Sequence, residues 1–100
     1  MLSFFMRVVG RDIIQEFIQK YPDSQSSLKS WTQAIEANDL KHWNHLKQIF
    51  GSADYVKPYT VFNISGNKYR LIALLNFQIN TVLIEEILTH SEYDKGKWRK

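Results

Sequence analysis

The chain has no cysteine among its 100 residues. Without that side chain it can form no disulfide, no zinc–thiolate site and no thiol nucleophile, and such a composition suits a reducing cytosol. It also lacks an apolar run of about 18 residues, the length that a membrane-spanning helix needs. The mildly apolar segment 1–10 is interrupted by Arg7 and is followed by no small-residue cleavage site, so it does not resemble a signal peptide. We therefore expect a soluble, cytoplasmic protein that makes no membrane contact.

The side chains that are present suffice for one packed domain. Hydrophobic residues make up 44% of the chain and aromatic residues 14%, which supports a core, whereas 100 residues are too few for two independent cores. We expect a single domain over residues 1–100. The net charge of +3 permits contact with a polyanion. The last six residues contain four cations, Lys95, Lys97, Arg99 and Lys100. They form either a solvated, frayed tail or a tail that steers phosphate towards a site for RNA.

The first half of the chain predicts one strand followed by helices. The β-branched and aromatic segment 4–9 ends at Gly10 and is typical of a strand. Beyond it, apolar residues recur at spacings of three and four, which indicates amphipathic helices. Three are expected: residues 11–21, residues from about 24–27 to 36, and residues 40–50, the last capped by Asp39 and stopped by Gly51. The inner face of the third helix should carry Leu46, Ile49 and Phe50, with Trp43 beside them.

The second half predicts three antiparallel strands. After a linker, residues 52–58, the expected strands are 59–64, 69–77 and 81–88, and Ser65-Gly66-Asn67 supplies a tight hairpin between the first two. The fold class is therefore α+β, with the N-terminal strand and two or three helices packed on a mostly antiparallel sheet that ends in a three-strand meander. Alternation places one set of middle-strand residues under the helices: Tyr69, Leu71, Ala73, Leu75 and Phe77. The helix residues expected to face them are Ile13, Phe17, Leu28 and Trp31.

Reactive side chains are densest just beyond the last strand, at His90, Tyr93, Asp94 and Lys95, with Arg70 one strand away. RNA cleavage without a metal needs a base for the ribose 2′-hydroxyl, an acid for the leaving 5′-oxygen and cations near the phosphorus. Imidazole titrates nearest neutral pH, so His90 suits the acid or base role, whereas Arg70 and Lys95 suit the phosphate. Tyr93 could stack on a base or donate a proton. Asp94 could orient His90 or Lys95, or cap a helical turn.

Each of these residues also has an ordinary structural interpretation. A histidine at a strand end is commonly a surface or capping residue, and Arg70 could pair with Glu85 or Glu86 across the hairpin. His42 and His45 are three residues apart on a predicted helix, but no third ligand is evident near them, so a solvated helix face is favoured over a metal site. Trp31 and Trp43 are expected in the core.

Two segments resemble the HigB-type toxins of bacterial toxin–antitoxin pairs. Residues 59–73, YTVFNISGNKYRLIA, resemble the family stretch vFNi.GNkyRlia, and residues 89–95, THSEYDK, resemble its ending THaeYDk. The two blocks occur in the family's order and at its separation. The family is similar in fold to the RelE-type toxins, so the resemblance implies one RelE-like domain.

The resemblance also implies a function and a set of site residues. It implies a ribosome-dependent endoribonuclease that cuts mRNA during translation, arrests growth and uses no metal or other cofactor. Its partner would be a helix-turn-helix antitoxin of the HigA type. The toxin would contact operator DNA only indirectly, through this antitoxin. The catalytic residues expected are Arg70, His90, Tyr93, Asp94 and Lys95, and the residues expected to bind RNA are Asn63, Asn67, Lys68 and Lys97.

One position departs from the family pattern. Relatives often carry a basic residue where this chain has Glu85, which Glu86 follows. Strict alternation would point these two carboxylates to opposite faces, so that one of them lies on the RNA side and repels phosphate, unless it pairs with Arg70 or holds the antitoxin. The alternative function is therefore a weakened or non-catalytic RelE-like module that binds RNA or a partner protein.

Overall fold

The computed structural model describes residues 6–98. They form a five-stranded sheet with three helices packed on one face, and a fourth short helix follows the last strand. No helix in this described part of the chain is long and apolar enough to cross a membrane. In chain order the elements are β1 (Arg7–Val9), α1 (Arg11–Lys20), a 3-10 turn (Pro22–Ser24), α2 (Gln25–Ala37), α3 (Trp43–Ile49), β2 (Asp54–Val56), β3 (Tyr59–Ile64), β4 (Tyr69–Asn76), β5 (Thr81–Thr89) and α4 (His90–Asp94).

The sheet has the strand order β1-β5-β4-β3-β2. The last four strands form an antiparallel meander, whereas β1 lies parallel to β5, with Val8 opposite Val82. β1 therefore forms one edge of the sheet, and after the three helices the chain returns to the sheet as β2 at the other edge. The expected α+β class and its three-strand meander are confirmed, and the part of the predicted first strand before Met6 lies outside the described residues.

The start of α1 depends on a glycine. Gly10 has φ +103°, and a Cβ added there would lie 3.0 Å from the carbonyl oxygen of Ile84 and 3.1 Å from its Cβ. Any other residue would meet both a strained backbone and a backbone atom of β5. Gly10 therefore lets the chain leave β1 and turn directly into a helix against the sheet. The predicted first and second helices are confirmed.

The third helix was predicted too long. It begins at Trp43, and its cap is His42, whose Nδ1 accepts a hydrogen bond from the backbone N–H of His45 at 3.3 Å. Asp39 is not the cap and instead pairs with Lys41. The reason is Leu40, which is fully buried in the connection and donates its N–H to the carbonyl of Asn38 in a turn, so the helix restarts only beyond it.

The end of α3 also differs from the prediction. Leu46 is fully buried as expected, but Ile49, the last residue of the helix, is 40% exposed and does not belong to the inner face. Phe50 is the C-cap and packs edge-on against Phe62, with ring centroids 5.1 Å apart. Gly51 does not adopt the left-handed conformation that a glycine stop would need.

The expected linker 52–58 contains a strand. β2 pairs with β3, and Val56 lies opposite Tyr59 across a two-residue connection. A strand of three residues, two of them exposed, has too little alternation to be recognised from its own sequence. It exists because β3 offers it a hydrogen-bonding edge.

The main core lies between the helices and one face of the sheet. The face assigned to the middle strand is confirmed, since Tyr69, Leu71 and Ala73 are buried there and Leu75 and Phe77 pack partly buried beside them. On the helix side, Phe17, Leu28 and Trp31 are buried and Ile13 is partly buried.

The opposite face of the sheet, here called the outer face, has a small cluster of its own. This outer cluster consists of Val61, Ile72, Leu88 and Trp98, with Tyr59, Val56 and Tyr93 packed around it. The chain after α4 folds back onto the sheet, which leaves Trp98 only 5% exposed. The interpretation of the end of the chain as a frayed tail is therefore wrong up to Trp98, whereas Arg99 and Lys100 lie outside the described residues.

Candidate active site

A capping box builds α4 at the end of β5. The side chain of Thr89 accepts a hydrogen bond from the N–H of Glu92 at 3.2 Å, and the Glu92 carboxylate accepts one from the N–H of Thr89 at 2.9 Å. The signal was available in the sequence, because a Thr followed three residues later by Glu is a typical helix start. From sequence the helix is foreseen only as a turn that Asp94 could cap, whereas its cap is Thr89. The helix carries His90, Tyr93 and Asp94 over the sheet end.

Within α4, His90 and Asp94 are four residues apart and in contact. Nδ1 of His90 lies 2.8 Å from Oδ2 of Asp94, while 42% of the histidine side chain and 60% of the aspartate side chain are exposed. With a proton on Nδ1, the histidine donates a hydrogen bond to the carboxylate, and Nε2 then carries the ring's lone pair. The N–H of His90 donates to the carbonyl of Lys68 at 2.9 Å and ties the helix start to the hairpin between β3 and β4.

Arg70 lies on the outer face, only 8% exposed. Its guanidinium donates to the side-chain oxygen of Asn67 at 2.6 Å, to the carbonyl of Asn67 at 3.3 Å and to the carbonyl of Tyr69 at 3.1 Å. All three acceptors are neutral, and within residues 6–98 no ion pair to a carboxylate offsets its charge. The alternative that Arg70 pairs with Glu85 or Glu86 is wrong, because the register places Leu88 opposite it.

The asparagines of the first motif surround Arg70. Asn63 is exposed and lies directly opposite Arg70 in the β3–β4 ladder. Ser65 and Gly66 have φ angles of 54° and 66°, and this left-handed turn returns the chain so that Asn67 reaches the guanidinium. Residues of the motif that look scattered in sequence are therefore neighbours at one end of the sheet.

Tyr93 joins the two motifs. The guanidinium carbon of Arg70 is 5.4 Å from the centroid of the Tyr93 ring, a cation–π distance. On the same tyrosine, the Trp98 ring is stacked with centroids 4.9 Å apart and planes at 15°. Tyr59 packs edge-on against Trp98 at 6.0 Å. Neither Trp98 nor Tyr59 is among the site residues expected from sequence. Trp98 lies beyond the second motif among cationic residues that suggest a solvated tail, and Tyr59 stands at the start of the first motif with no chemical role assigned to it.

Lys68 is directed away from this group. Its Nζ pairs with Asp23, and the hydroxyl of Tyr69 donates to the same carboxylate at 2.6 Å. The hydrogen bond from Lys68, followed by that from Tyr69, lowers the pKa of Asp23. The bond to Asp23, aided by burial, raises the pKa of Tyr69 to about 12. Lys68 thus holds the hairpin to the turn after α1.

The two remaining candidate lysines lie beside the outer cluster. Lys95 and Lys97 are exposed and line a depression of about 330 Å³ together with Glu86 and Glu92. Their positive charge therefore faces carboxylates as well as solvent. Lys95 is one residue beyond α4, and Lys97 is next to Trp98, so both border the group around Tyr93.

A β-bulge changes the expected placement of the acidic pair. Ile72 lies opposite Glu86 and Ala73 opposite Ile84, which leaves Glu85 as the extra residue in β5. Ile84 and Ile87 both belong to the main core although they are three residues apart, so strict alternation fails here. Alternation therefore cannot be used to place Glu85 and Glu86 on opposite faces of the sheet, as was expected from sequence. Glu86 lies opposite an outer-cluster residue.

Comparison with known proteins identifies the family. The HigB toxin family, described as the RelE-like toxic component of a toxin–antitoxin system, matches residues 24–96. The chain belongs to this family. As the toxic component of such a pair, it has an antitoxin as its partner.

Curated relatives agree with the assignment. The chain is 30% identical over 92 residues to the mRNA interferase toxin HigB of Escherichia coli (strain K12), an alignment that covers 89% of this chain and 88% of that protein. It has the same identity and coverage with the mRNA interferase HigB of Shigella flexneri. With the mRNA interferase HigB of Escherichia coli O6:H1 it is 28% identical over 93 residues, or 90% of each chain. The resemblance seen in the two motifs is confirmed.

Proposed function

We propose that this toxin is a metal-independent endoribonuclease that cleaves mRNA on the ribosome during translation and so arrests growth. The names of its relatives, mRNA interferases, support an RNA substrate. The observation that carries the proposal is the exposed His90–Asp94 pair on α4, beside an arginine whose charge no carboxylate neutralises within residues 6–98. A single domain in the cytoplasm would carry the activity, with a HigA-type helix-turn-helix antitoxin as its partner and operator DNA reached only through it.

The proposed reaction is an internal transesterification. A base removes the proton of the ribose 2′-hydroxyl, the 2′-oxygen forms a bond to phosphorus, and the bond from phosphorus to the 5′-oxygen breaks as an acid protonates that oxygen. The products are a 2′,3′-cyclic phosphate and a free 5′-hydroxyl. Cations stabilise the additional charge on the phosphoryl oxygens as the new bond forms.

His90 takes one of the two proton-transfer roles. Its Nε2 is the nitrogen left free when Nδ1 donates to Asp94, and the partial exposure of the ring lets an RNA strand approach it. Asp94 fixes the tautomer and the ring orientation, as a carboxylate does for a catalytic histidine in general. Tyr93 is the candidate for the second proton transfer or for stacking on a base.

Arg70 supplies electrostatic stabilisation. Because its hydrogen bonds go to neutral oxygens, its full positive charge remains to act on a phosphate, and the low-dielectric surroundings of a buried group strengthen that effect. Lys95 and Lys97 add positive charge at the rim, and the exposed Asn63 and Asn67 offer hydrogen bonds to the RNA backbone. Lys68 is the least suited to contact RNA, because Asp23 holds it.

One observation favours the alternative of a weakened or non-catalytic binding module. Glu86 adds an exposed carboxylate to the depression that Lys95 and Lys97 line, and the exposed Glu85 precedes it in β5. Negative charge there lowers the attraction for RNA. A module of this kind would bind the ribosome, RNA or the antitoxin without cutting.

Induction of the toxin in a host that lacks the antitoxin, together with single-turnover cleavage of mRNA on programmed ribosomes, tests the proposal. We expect growth arrest and cleavage from the native chain, and a rate about 10²–10⁴-fold lower from His90→Ala. His45→Ala is the matched control, since that residue lies on α3 and contributes only its backbone N–H to the cap. Binding to ribosomes without cleavage would establish the binding module instead.

A further inference from the structure

The chain reverses direction immediately after α4. Gly96 has φ +72° and donates its N–H to the carbonyl of Tyr93 at 3.1 Å, which ends the helix in a left-handed turn. Two residues later the indole N–H of Trp98 donates to the same Tyr93 carbonyl at 2.9 Å. The turn therefore folds the end of the described chain back onto the helix that carries the candidate catalytic residues.

Trp98 holds Tyr93 through its ring as well as through its N–H. The two rings are stacked at 4.9 Å, and the indole is clustered with Val61, Ile72 and Leu88 of the sheet. With only 5% of its surface exposed, Trp98 cannot stack on an RNA base. Any effect it has on a reaction must therefore act through the residues it touches.

We propose that Trp98 is a positioning residue for RNA cleavage, which fixes Tyr93 against Arg70 and α4 against the sheet. The inference rests on the proposed function. The Tyr93 ring contacts the Arg70 guanidinium, at 5.4 Å, and also stacks on Trp98. The position of Trp98 in the outer cluster therefore fixes the ring against which the guanidinium lies. Because α4 has only five residues and none of them is buried, it draws little stability from its own packing. Trp98 supplies the contact that the short helix lacks.

Two substitutions separate the contributions of Trp98. Trp98→Phe keeps an aromatic ring but removes the N–H bonded to the carbonyl of Tyr93, and Trp98→Ala removes the ring as well, with its contacts to Tyr93, Tyr59 and the outer cluster. The matched control is Trp31→Phe, which is the same chemical change at a buried tryptophan of the main core. Nε1 of Trp31 has no hydrogen-bond partner in the described part of the chain, so its loss removes no bond.

The first measurement is single-turnover cleavage on programmed ribosomes, with rates expressed per folded molecule from a melt of each preparation. We expect Trp98→Phe to lower the maximal rate about 2- to 10-fold, the equivalent of one hydrogen bond, and Trp98→Ala to lower it by about 10-fold or more. The half-saturating ribosome concentration should change little, because Asn63 in β3 and Asn67 in the β3–β4 turn, the asparagines proposed to bind RNA, do not lie on α4. A native rate for Trp98→Phe, or an equal loss in Trp31→Phe, would overturn the proposal.

The second measurement does not depend on cleavage and so separates this inference from the proposed function. Hydrogen exchange of the α4 amides should accelerate in both Trp98 variants while the amides of β3 and β4 stay protected, and Trp31→Phe should leave α4 unchanged. If the native chain does not cut mRNA, the proposed function fails, and this exchange pattern alone decides whether Trp98 positions α4. Unchanged α4 exchange in Trp98→Ala would overturn that positioning role.

Discussion

Replacing Asp94 with asparagine removes the carboxylate that accepts a hydrogen bond from Nδ1 of His90. The effect on stability should be small, because an ion pair with 42% and 60% of its two side chains exposed contributes about 0–1 kcal/mol. The effect on the reaction should be large, because the amide can donate to Nδ1 and so favour the opposite tautomer. Such an exchange costs about 10⁴-fold in a buried catalytic triad. Since water can partly reorganise around an exposed pair, we expect a loss of about 10- to 10³-fold here.

The assay is single-turnover cleavage of mRNA on programmed ribosomes, with a thermal melt of the same Asp94→Asn preparation. Asp39→Asn is the matched control, because Asp39 is also an exposed aspartate in an ion pair, 3.1 Å from Lys41 and remote in sequence from the candidate site. We expect both variants to melt within a few degrees of the native chain and only Asp94→Asn to lose activity. A native rate from Asp94→Asn would refute the orientation of His90 by Asp94, and an equal loss from Asp39→Asn would show that the assay reports charge alone.

Three further substitutions test other parts of the structure. Arg70→Ala should abolish toxicity in growth assays and lower the unfolding free energy in urea titrations by about 1–3 kcal/mol, because charge-assisted hydrogen bonds are lost. Arg70→Lys should restore little toxicity, and full toxicity of Arg70→Ala would move the phosphate role to Lys95. Trp31→Ala should cost about 3–5 kcal/mol because the ring is buried against Phe62, and an unchanged melt would contradict the face assignment. Asp23→Asn should lower stability at neutral pH, and the difference from the native chain should shrink in melts as the pH falls through the lowered pKa of Asp23, because that stabilisation exists only while the carboxylate is charged.

The expectation for Arg70 changes once its surroundings are known. From sequence, Arg70 is expected to act on the phosphate through its charge, or else to pair with Glu85 or Glu86 across the hairpin. Its 8% exposure and three hydrogen bonds give it a structural role as well, since they hold the hairpin through Asn67. The sequence pattern could assign the face of the sheet, but it could not show how deeply α4 would cover that face.

The elements predicted well are those whose information is local. β3 matches its predicted bounds, Tyr59–Ile64, because a segment of aromatic and β-branched residues lies between a proline and a glycine turn. α1 is similarly bounded by Gly10 and Pro22. Such segments carry their own periodicity and their own stop signals, so little tertiary information is needed.

The elements missed depend on contacts with distant residues. β2 forms because β3 provides an edge, and the bulge at Glu85 forms so that Ile84 and Ile87 can both reach the main core. No local pattern predicts either of them. α4 is a different case, because its capping box was visible in the sequence and its i, i+4 pair, His90 and Asp94, follows from the helix once it is recognised.

The candidate site depends on a part of the fold that the main core does not stabilise. The sheet separates the main core from the outer cluster, whose buried apolar residues within the described part of the chain are Val61, Ile72, Leu88 and Trp98. Units with few buried apolar contacts open at lower free energy than the global core. Leu88 lies opposite Arg70 in the ladder and belongs to the outer cluster with Trp98, against which Tyr93 packs. Leu88→Ala should therefore loosen α4 and slow the reaction while the rest of the protein stays folded. Leu71→Ala, which leaves a cavity in the main core, should lower the stability of the fold and leave the cleavage rate per folded molecule unchanged.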